Sequence, residues 1–252
     1  IFDTQTNTID NFDLIVANPP YVVSPESAYL FRDSGMTGDS VSEHVVRGAP
    51  ALLAAGGFAS ILIAWALDPR DPPARPRSWL EGARCDGILL HTSTDDPIET
   101  AAVWNRDLLD RPEAYADALD RWLDYYRRLG IEQLGYACLV LRKRGDGRDG
   151  QLVAQPLPRA ALRPAGQHVR RLFETHDRLA ELDDGALLDQ RLRVVDDAVV
   201  GQESRFSDGR WLSESLTLRL DRGLPFSAEL DAATATLIRK LDGSNTLKDA
   251  LV

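Results

Sequence analysis

The chain has 252 residues, a formal net charge of −10 and two cysteines. Its acidic balance argues against a broad nucleic-acid-binding surface but leaves room for a local basic patch. No apolar run reaches membrane-spanning length and no secretory signal is visible, so we expect a cytoplasmic protein with no membrane partner. Cys85 and Cys138 both lie in apolar stretches, which favours two buried thiols over a disulfide.

A short apolar strand followed by a stiff turn stands near the start of the chain. Residues 14–17 are apolar in succession, which predicts a buried strand, and Asn18, Pro19, Pro20 and Tyr21 come directly after it. Each proline fixes its own φ, lacks an N–H group and holds the preceding residue extended. We therefore expect a rigid turn in which the carbonyls of Asn18 and Pro19 stay free to accept hydrogen bonds.

These groups suit a flat substrate that carries an –NH2 group. The side-chain oxygen of Asn18 and the carbonyl of Pro19 can both accept hydrogen bonds from one amino group, while Tyr21 lies against the substrate. An amide or exocyclic amine is a poor nucleophile because its lone pair is delocalised. Two fixed acceptors would orient that nitrogen and localise its lone pair without a dedicated general base.

The stretch from Phe12 to Tyr21 resembles the Asn-Pro-Pro-Tyr motif of class I S-adenosylmethionine-dependent methyltransferases that modify amino groups. These include adenine-N6 and guanine-N2 methyltransferases of nucleic acids and glutamine methyltransferases of release factors. The resemblance implies S-adenosylmethionine as the cofactor and RNA, DNA or protein as the methyl acceptor. It assigns the catalytic role to Asn18, Pro19, Pro20 and Tyr21. The alternative is an ordinary β-turn that happens to contain two prolines.

The same resemblance implies that the methyltransferase domain is incomplete at its N-terminus. In the family, a segment ending in an aromatic residue lines the adenine of the cofactor, which assigns Phe2 to the cofactor site together with Asn18. Core packing is the alternative role for Phe2. A glycine-rich turn and an acidic residue of the cofactor half do not precede Asn18, so we expect the isolated fragment to be inactive.

The next elements alternate between helices and strands. A helix is predicted over 40–55, with a capping box at Ser40 and Glu43, a kink at Pro50 and an end at the subsequent Gly-Gly pair. The later predictions are a strand over 58–65, a short helix over 77–84, a strand over 86–93, helices within 97–134 that break at 111–112, and a strand over 136–144.

This order fits the C-terminal half of a doubly wound, Rossmann-like α/β sheet. In the family, the last two strands form an antiparallel pair at the sheet edge. The long helical insert would lie between these two strands and could cover the mouth of the active site. Its aromatic residues, which recur at helical spacing, are expected to form core rather than a base-stacking platform.

The glycine-rich stretch 145–150 matches G-x-G-x-x-G, but the residues after it are strand-like. Because no helix N-terminus would then face a phosphate, we interpret the stretch as a turn or linker. The domain boundary is placed there. A partial Rossmann-like methyltransferase domain is predicted over 1–148 and a smaller accessory α+β domain over 149–252.

The accessory domain has a weakly winged-helix-like order of elements. Helices are predicted over 169–182 and 230–241 and from Thr246, and strands over 191–195 and 215–220. His168 and His176 lie on one helical face without further ligands at metal-binding spacing, so surface histidines are expected and no metal site is predicted.

The sequence supports two functional hypotheses. The first is an enzyme that transfers a methyl group from S-adenosylmethionine to an amino or amide nitrogen of a nucleic-acid base or a protein glutamine. The second is a non-catalytic binding or scaffold module that retains a methyltransferase-like sheet. The acidic charge slightly favours a protein or structured-RNA acceptor over long duplex DNA.

Overall fold

The computed structural model describes residues 11–26, 35–157 and 163–252. It divides the chain into two compact units, Ile1–Pro156 and Leu157–Val252. Residues 149–156 belong to the first unit, because Leu152–Pro156 pairs with a strand of its sheet. The sequence-based boundary at 148 and 149 lies before this strand, since a pairing between distant strands leaves no local signal in the sequence.

The described part of the first unit forms a five-stranded mixed sheet with the order β1-β2-β4-β3-β5. Its strands are β1 (Phe12–Ala17), β2 (Leu53–Ala66), β3 (Cys85–Asp95), β4 (Leu134–Lys143) and β5 (Leu152–Pro156). β1 pairs parallel to β2 and β5 pairs parallel to β3, while β4 runs antiparallel to both β2 and β3. The carboxyl ends of β1, β2, β3 and β5 therefore lie at one edge, where β4 begins.

Four helices accompany this sheet within the described residues of the unit. They are α1 (Ser40–Leu52), α2 (Ala74–Trp79), α3 (Pro97–Trp104) and α4 (Pro112–Leu129), with a 3-10 turn at Arg106–Leu108. α3 and α4 form the predicted helical insert between the antiparallel strands β3 and β4, and the insert breaks before Pro112 as predicted. Proline is tolerated at the first turn of α4 because the N–H it lacks would have no intrahelical partner there.

The described residues of this unit form two hydrophobic cores. One lies between α1, α2 and one face of the sheet, and it includes the fully buried Ile61, Trp65 and Leu139. The other lies at the carboxyl edge, where Trp122 and Tyr126 of α4 pack with Val22, Val23 and Ala64. The prediction that aromatic residues of the insert belong to the core is confirmed for these two side chains.

Several expectations for the start of the sheet were wrong. β1 is not fully buried: it is an edge strand of the described sheet, and Leu14 and Val16 are 62% and 75% exposed. Only its other face, with Ile15 and Ala17, packs on the first core. The capping box is also absent, since Asp39 occupies the N-cap position of α1 without a side-chain capping bond.

The Gly-Gly pair does not end α1. The helix stops at Leu52, and the pair lies inside the long strand β2 at a register shift opposite β1. Gly56 adopts φ +80°, a conformation that favours glycine, and a Cβ on Gly57 would lie 2.8 Å from the carbonyl oxygen of Phe12. These glycines therefore allow the two strands to approach each other closely.

The second unit contains a three-stranded antiparallel sheet and four helices within its described residues. Its strands are β6 (Ala198–Ser207), β7 (Arg210–Leu220) and β8 (Ser227–Glu229), and its helices are α5 (Gly166–Glu181), α6 (Asp184–Leu188), α7 (Ala232–Lys240) and α8 (Leu247–Ala250). The predicted strand over 191–195 is reduced to an isolated bridge between Arg193 and Asp242. The predicted start at Thr246 is confirmed by a capping box with Asp249.

Within residues 11–26, 35–157 and 163–252, no helix is both long and apolar enough to cross a bilayer.

Candidate functional site

The carboxyl edge of the first sheet gathers side chains from several chain segments. The stretch from Asn18 to Tyr21 comes after β1, Asp39 precedes α1 and contacts the end of β2, Asp95 ends β3, and Tyr136 lies near the start of β4. In an open α/β sheet, this edge is where ligands bind, because the loops that leave the parallel strands diverge there.

The Asn-Pro-Pro-Tyr turn follows β1, and the first residue of the turn is exposed to solvent. Asn18 is exposed, and its side chain makes no hydrogen bond to any described residue. The backbone N–H of Tyr21 donates to the carbonyl oxygen of Pro19 over 2.8 Å, which closes a tight three-residue turn. The expectation that the Pro19 carbonyl stays free is therefore corrected: one of its two lone pairs is used inside the turn.

The Tyr21 ring is half-buried and packs against the second core. Burial raises the pKa of its phenol. The ring is thus held in one place by packing, with part of its surface open to solvent. It could lie against a flat substrate, although the core already covers part of it.

Helix α4 holds the chain on both sides of residues 27–34. Tyr126 Oη donates to the carbonyl of Val23 over 2.8 Å, and Arg121 Nη2 lies 3.0 Å from Glu26 Oε1. On the other side, the N–H of Gly38 donates to Tyr125 Oη over 2.7 Å. The helical insert therefore fixes the path of the chain on either side of that segment.

Asp39 has a structural role that the sequence did not predict. It lies in the loop before α1, yet its side chain is only 2% exposed. Asp39 Oδ2 accepts the N–H of Ala66 at the end of β2 over 2.9 Å, and Oδ1 accepts from Arg75 Nη2 over 2.6 Å. A buried carboxylate is stable only when it is paired in this way, and the pair fixes the loop before α1 to the end of β2.

A second group of polar atoms lies beside Tyr21 and lacks such pairing. Asp95 Oδ1, Thr100 Oγ1 and Tyr136 Oη are buried, and none of them has a hydrogen-bond partner among the described residues. Burial raises the pKa of Tyr136 to about 12, and the charge of Asp95 and the nearby Tyr21 add to the rise. Thr100 and Trp104 oppose it through polar contacts with the hydroxyl, although neither contact has the geometry of a hydrogen bond. These five residues are therefore close neighbours.

Backbone register explains why these residues meet. Asp95 and Tyr136 share one face of the sheet, because Ser93 lies opposite Tyr136 and side chains repeat every second residue along a strand. Thr100 stands in the first turns of α3, whose N-cap is Asp96. Sequence reasoning missed this cluster, although a carboxylate at the end of an apolar strand was a visible signal.

Phe2, the other residue predicted to contact the cofactor, lies outside the described residues. His168 is not a surface histidine: its Nε2 lies 2.9 Å from Asp197 Oδ2, and its side chain is 13% exposed. Among the side chains that the structure describes, no group of three or more His, Cys, Asp or Glu residues could hold a metal ion.

Comparison with known proteins gives only distant likenesses. No protein-family model and no curated protein matches the sequence. The chain is similar to the [4+2]-cyclase SpnF, with 17% identity and a TM-score of 0.28 over 57% of this chain and 54% of that chain. It is also similar to a putative sarcosine dimethylglycine methyltransferase from Galdieria sulphuraria, with 14% identity and a TM-score of 0.31 over 56% of each chain.

The chain thus spans about half the length of these two solved structures. Likeness at this level does not identify a reaction, so the functional proposal rests on the contacts of the site itself.

Proposed function

We propose that the first unit is the acceptor-binding part of a class I S-adenosylmethionine-dependent N-methyltransferase. The observation that carries this proposal is an exposed Asn18 on a proline-stiffened turn, next to the half-buried ring of Tyr21, at the carboxyl edge of a parallel strand pair. The mixed sheet, in which a single antiparallel strand lies between parallel ones, supports it. The methyl acceptor is an amino or amide nitrogen of a nucleic-acid base or of a protein glutamine.

The chain contributes orientation and hydrogen-bond acceptors. The side-chain oxygen of Asn18 and the second lone pair of the Pro19 carbonyl accept N–H groups of the substrate, and Tyr21 contacts its flat face. Holding the –NH2 group by two acceptors favours a localised lone pair on its nitrogen. S-adenosylmethionine, when bound, would supply the methyl group as an activated sulfonium, and Asn18 is the described residue to which we assign the contact with it.

A transfer assay tests this proposal in the full-length protein. Tritiated S-adenosylmethionine is incubated with protein-free RNA, with DNA and with nucleic-acid-free protein fractions, and incorporation into each is counted. Asn18→Ala should remove incorporation while the thermal unfolding midpoint stays unchanged. Asn11→Ala is the matched control, because Asn11 is also an exposed asparagine but lies before β1. Transfer by Asn18→Ala at the wild-type rate would refute the assigned role.

A second candidate is a non-catalytic module that retains the sheet. The internal hydrogen bond at the Pro19 carbonyl and the packing of Tyr21 against the core favour it, since both reduce what the turn can offer a substrate. Calorimetry of the full-length protein with S-adenosylmethionine separates the two candidates. Micromolar binding supports the enzyme, and the absence of binding supports the module.

A further inference from the structure

We infer that Asp95, Thr100 and Tyr136 form a binding subsite for a cationic amine beside the Asn-Pro-Pro-Tyr turn. The three side chains come from β3, α3 and β4 and meet at the carboxyl edge of the sheet. The subsite rests on the proposed function only in that we take the bound amine to be a second, charged group of the methyl acceptor, distinct from the neutral nitrogen that receives the methyl group.

The first argument is the cost of unpaired polar atoms. Thr100 is 1% exposed, yet its hydroxyl has no partner among the residues that the structure describes, and the same holds for Tyr136 Oη and Asp95 Oδ1. Proteins pair almost all buried polar atoms, so several unpaired oxygens in one place require a partner from outside the described chain. The nearby Asp39 shows how this chain pairs a buried carboxylate when the role is structural.

The second argument is the charge of the group. Asp95 brings a carboxylate, and no described Arg or Lys forms an ion pair with it. An anionic ligand would be repelled, whereas a cation would restore the balance. All three oxygens can accept hydrogen bonds, which matches a protonated amine with up to three N–H donors.

The third argument is the aromatic surroundings. Tyr21, Trp104 and Tyr136 all pack against the second core, and Tyr21 and Trp104 both lie near Tyr136. The faces of aromatic rings attract cations, most strongly where water is excluded. A carboxylate among such rings is the chemistry that recognises ammonium groups.

The test uses three small probes that differ in their polar head. Binding of benzylammonium, benzamide and benzoate to the full-length protein is followed by calorimetry without S-adenosylmethionine. We expect benzylammonium to bind at least about tenfold more tightly than the other two, because hydrogen bonds to charged groups are the stronger ones. If benzamide binds as tightly as benzylammonium, the subsite recognises a neutral N–H group and the proposed preference for a cation is wrong. If no probe binds, the subsite itself is overturned.

Variants then locate the bound probe. Asp95→Asn should lose the preference for benzylammonium over benzamide. Asp96→Asn is its control, since it removes the same charge one residue away while asparagine still caps α3. Equal losses in both variants would show a general charge effect and overturn the assignment.

The hydroxyl variants distinguish a binding role from a structural one. Thr100→Val and Tyr136→Phe should each weaken benzylammonium binding without lowering the thermal unfolding midpoint, because the removed hydroxyls make no hydrogen bond within the described protein. Tyr126→Phe, which removes a bonded hydroxyl from the same core, should lower the midpoint. A fall in the midpoint of the first two variants equal to that of Tyr126→Phe would overturn the proposal.

This experiment also separates the subsite from the proposed function. Probe binding that depends on Asp95, in a protein that transfers no methyl group, would overturn the methyltransferase proposal alone. Methyl transfer that depends on Asn18, without any probe binding, would overturn the subsite alone.

Discussion

The carboxylates at the two ends of β3 differ in their pairing with other side chains. Asp86, near the start of the strand, lies 2.6 Å from Arg142 Nη2 and 2.8 Å from Arg144 Nη1, and its Oδ1 also accepts the N–H of Gln151 over 3.3 Å. Asp95, at the end of the same strand, keeps an unpaired buried oxygen. We expect this contrast if the edge at Asp86, called the paired edge, stabilises the fold and the edge at Asp95, called the open edge, binds the proposed ligand.

The paired edge also explains the glycine-rich loop. Arg144 pairs with Asp146 as well as with Asp86, and these two carboxylates raise its pKa. A Cβ on Gly150 would lie 1.8 Å from the carbonyl oxygen of Cys85, so the loop backbone passes directly over the start of β3. The motif G-x-G-x-x-G serves here as a close-packed turn that leads into β5.

Breaking the paired edge should have the largest effect on stability. Asp86→Asn leaves two guanidinium groups, each only 13–17% exposed, without the charge they share. Removing one partner of a buried ion pair costs about 3 kcal/mol or more. We expect urea unfolding to report a loss of this size. Asp95→Asn is the comparison, and it should change the free energy of unfolding by less than about 1 kcal/mol because no ion pair is lost. Equal losses for both variants would remove the contrast between the two edges.

At the open edge, we expect a substitution to lower the rate of methyl transfer without lowering the free energy of unfolding. Asn18→Ala in the full-length protein is expected to lower methyl transfer about 100- to 1000-fold, the usual effect of removing one positioned polar group from a reacting centre. The free energy of unfolding should stay within about 0.5 kcal/mol, since Asn18 is exposed. Asp86→Asn, assayed below its unfolding midpoint, should retain its rate. A rate lost in both variants would mean that the assay follows folding rather than the site.

The sequence predicted much of this sheet because its signals are local. Apolar runs bounded by glycine or proline marked β2, β3 and β4, and Pro112 marked the break in the insert. The pairing of one strand with another has no such local signal in the sequence. Asp95 and Tyr136 meet only through the antiparallel register of β3 and β4, which depends on the insert between them.

The errors at β1 have the same origin. Apolar composition predicted burial for residues 14–17, but the exposure of Leu14 and Val16 depends on what lies beside and above the strand. Likewise, the two prolines correctly predicted a tight turn, but not that Tyr21 would donate back to Pro19. Whether a local group is free or used is decided by the fold around it.

Two tyrosines of the second core sharpen the comparison between bonded and unbonded groups. Tyr126 Oη donates to Val23, whereas Tyr136 Oη has no partner in the described protein. Tyr126→Phe should cost about 1 kcal/mol or slightly more, because the buried carbonyl of Val23 loses its donor. Tyr136→Phe should cost nothing or should stabilise the protein slightly. Paired urea titrations measure both, and a larger loss for Tyr136→Phe would assign its hydroxyl to the fold.

The smallest effect concerns the thiol beneath the glycine-rich loop. Burial raises the pKa of Cys85 from 9.0 to about 11, with nearby Lys143 opposing the rise. Iodoacetamide at pH 8 should therefore leave Cys85 unmodified in the native protein and modify it in urea, because only the thiolate reacts.

The same shift gives stability a pH dependence of known sign. The folded state disfavours the thiolate, so this contribution is intact below about pH 9 and is lost as pH rises towards about 11. Cys85→Ala should remove that part of the decline, while Tyr136, whose pKa rises from 10.0 to about 12, loses its own contribution between about pH 10 and pH 12 in both proteins. Rapid modification of Cys85 at pH 8 in the native state would show that the loop does not close over the start of β3. The close packing of the glycine-rich loop at the paired edge would then be wrong.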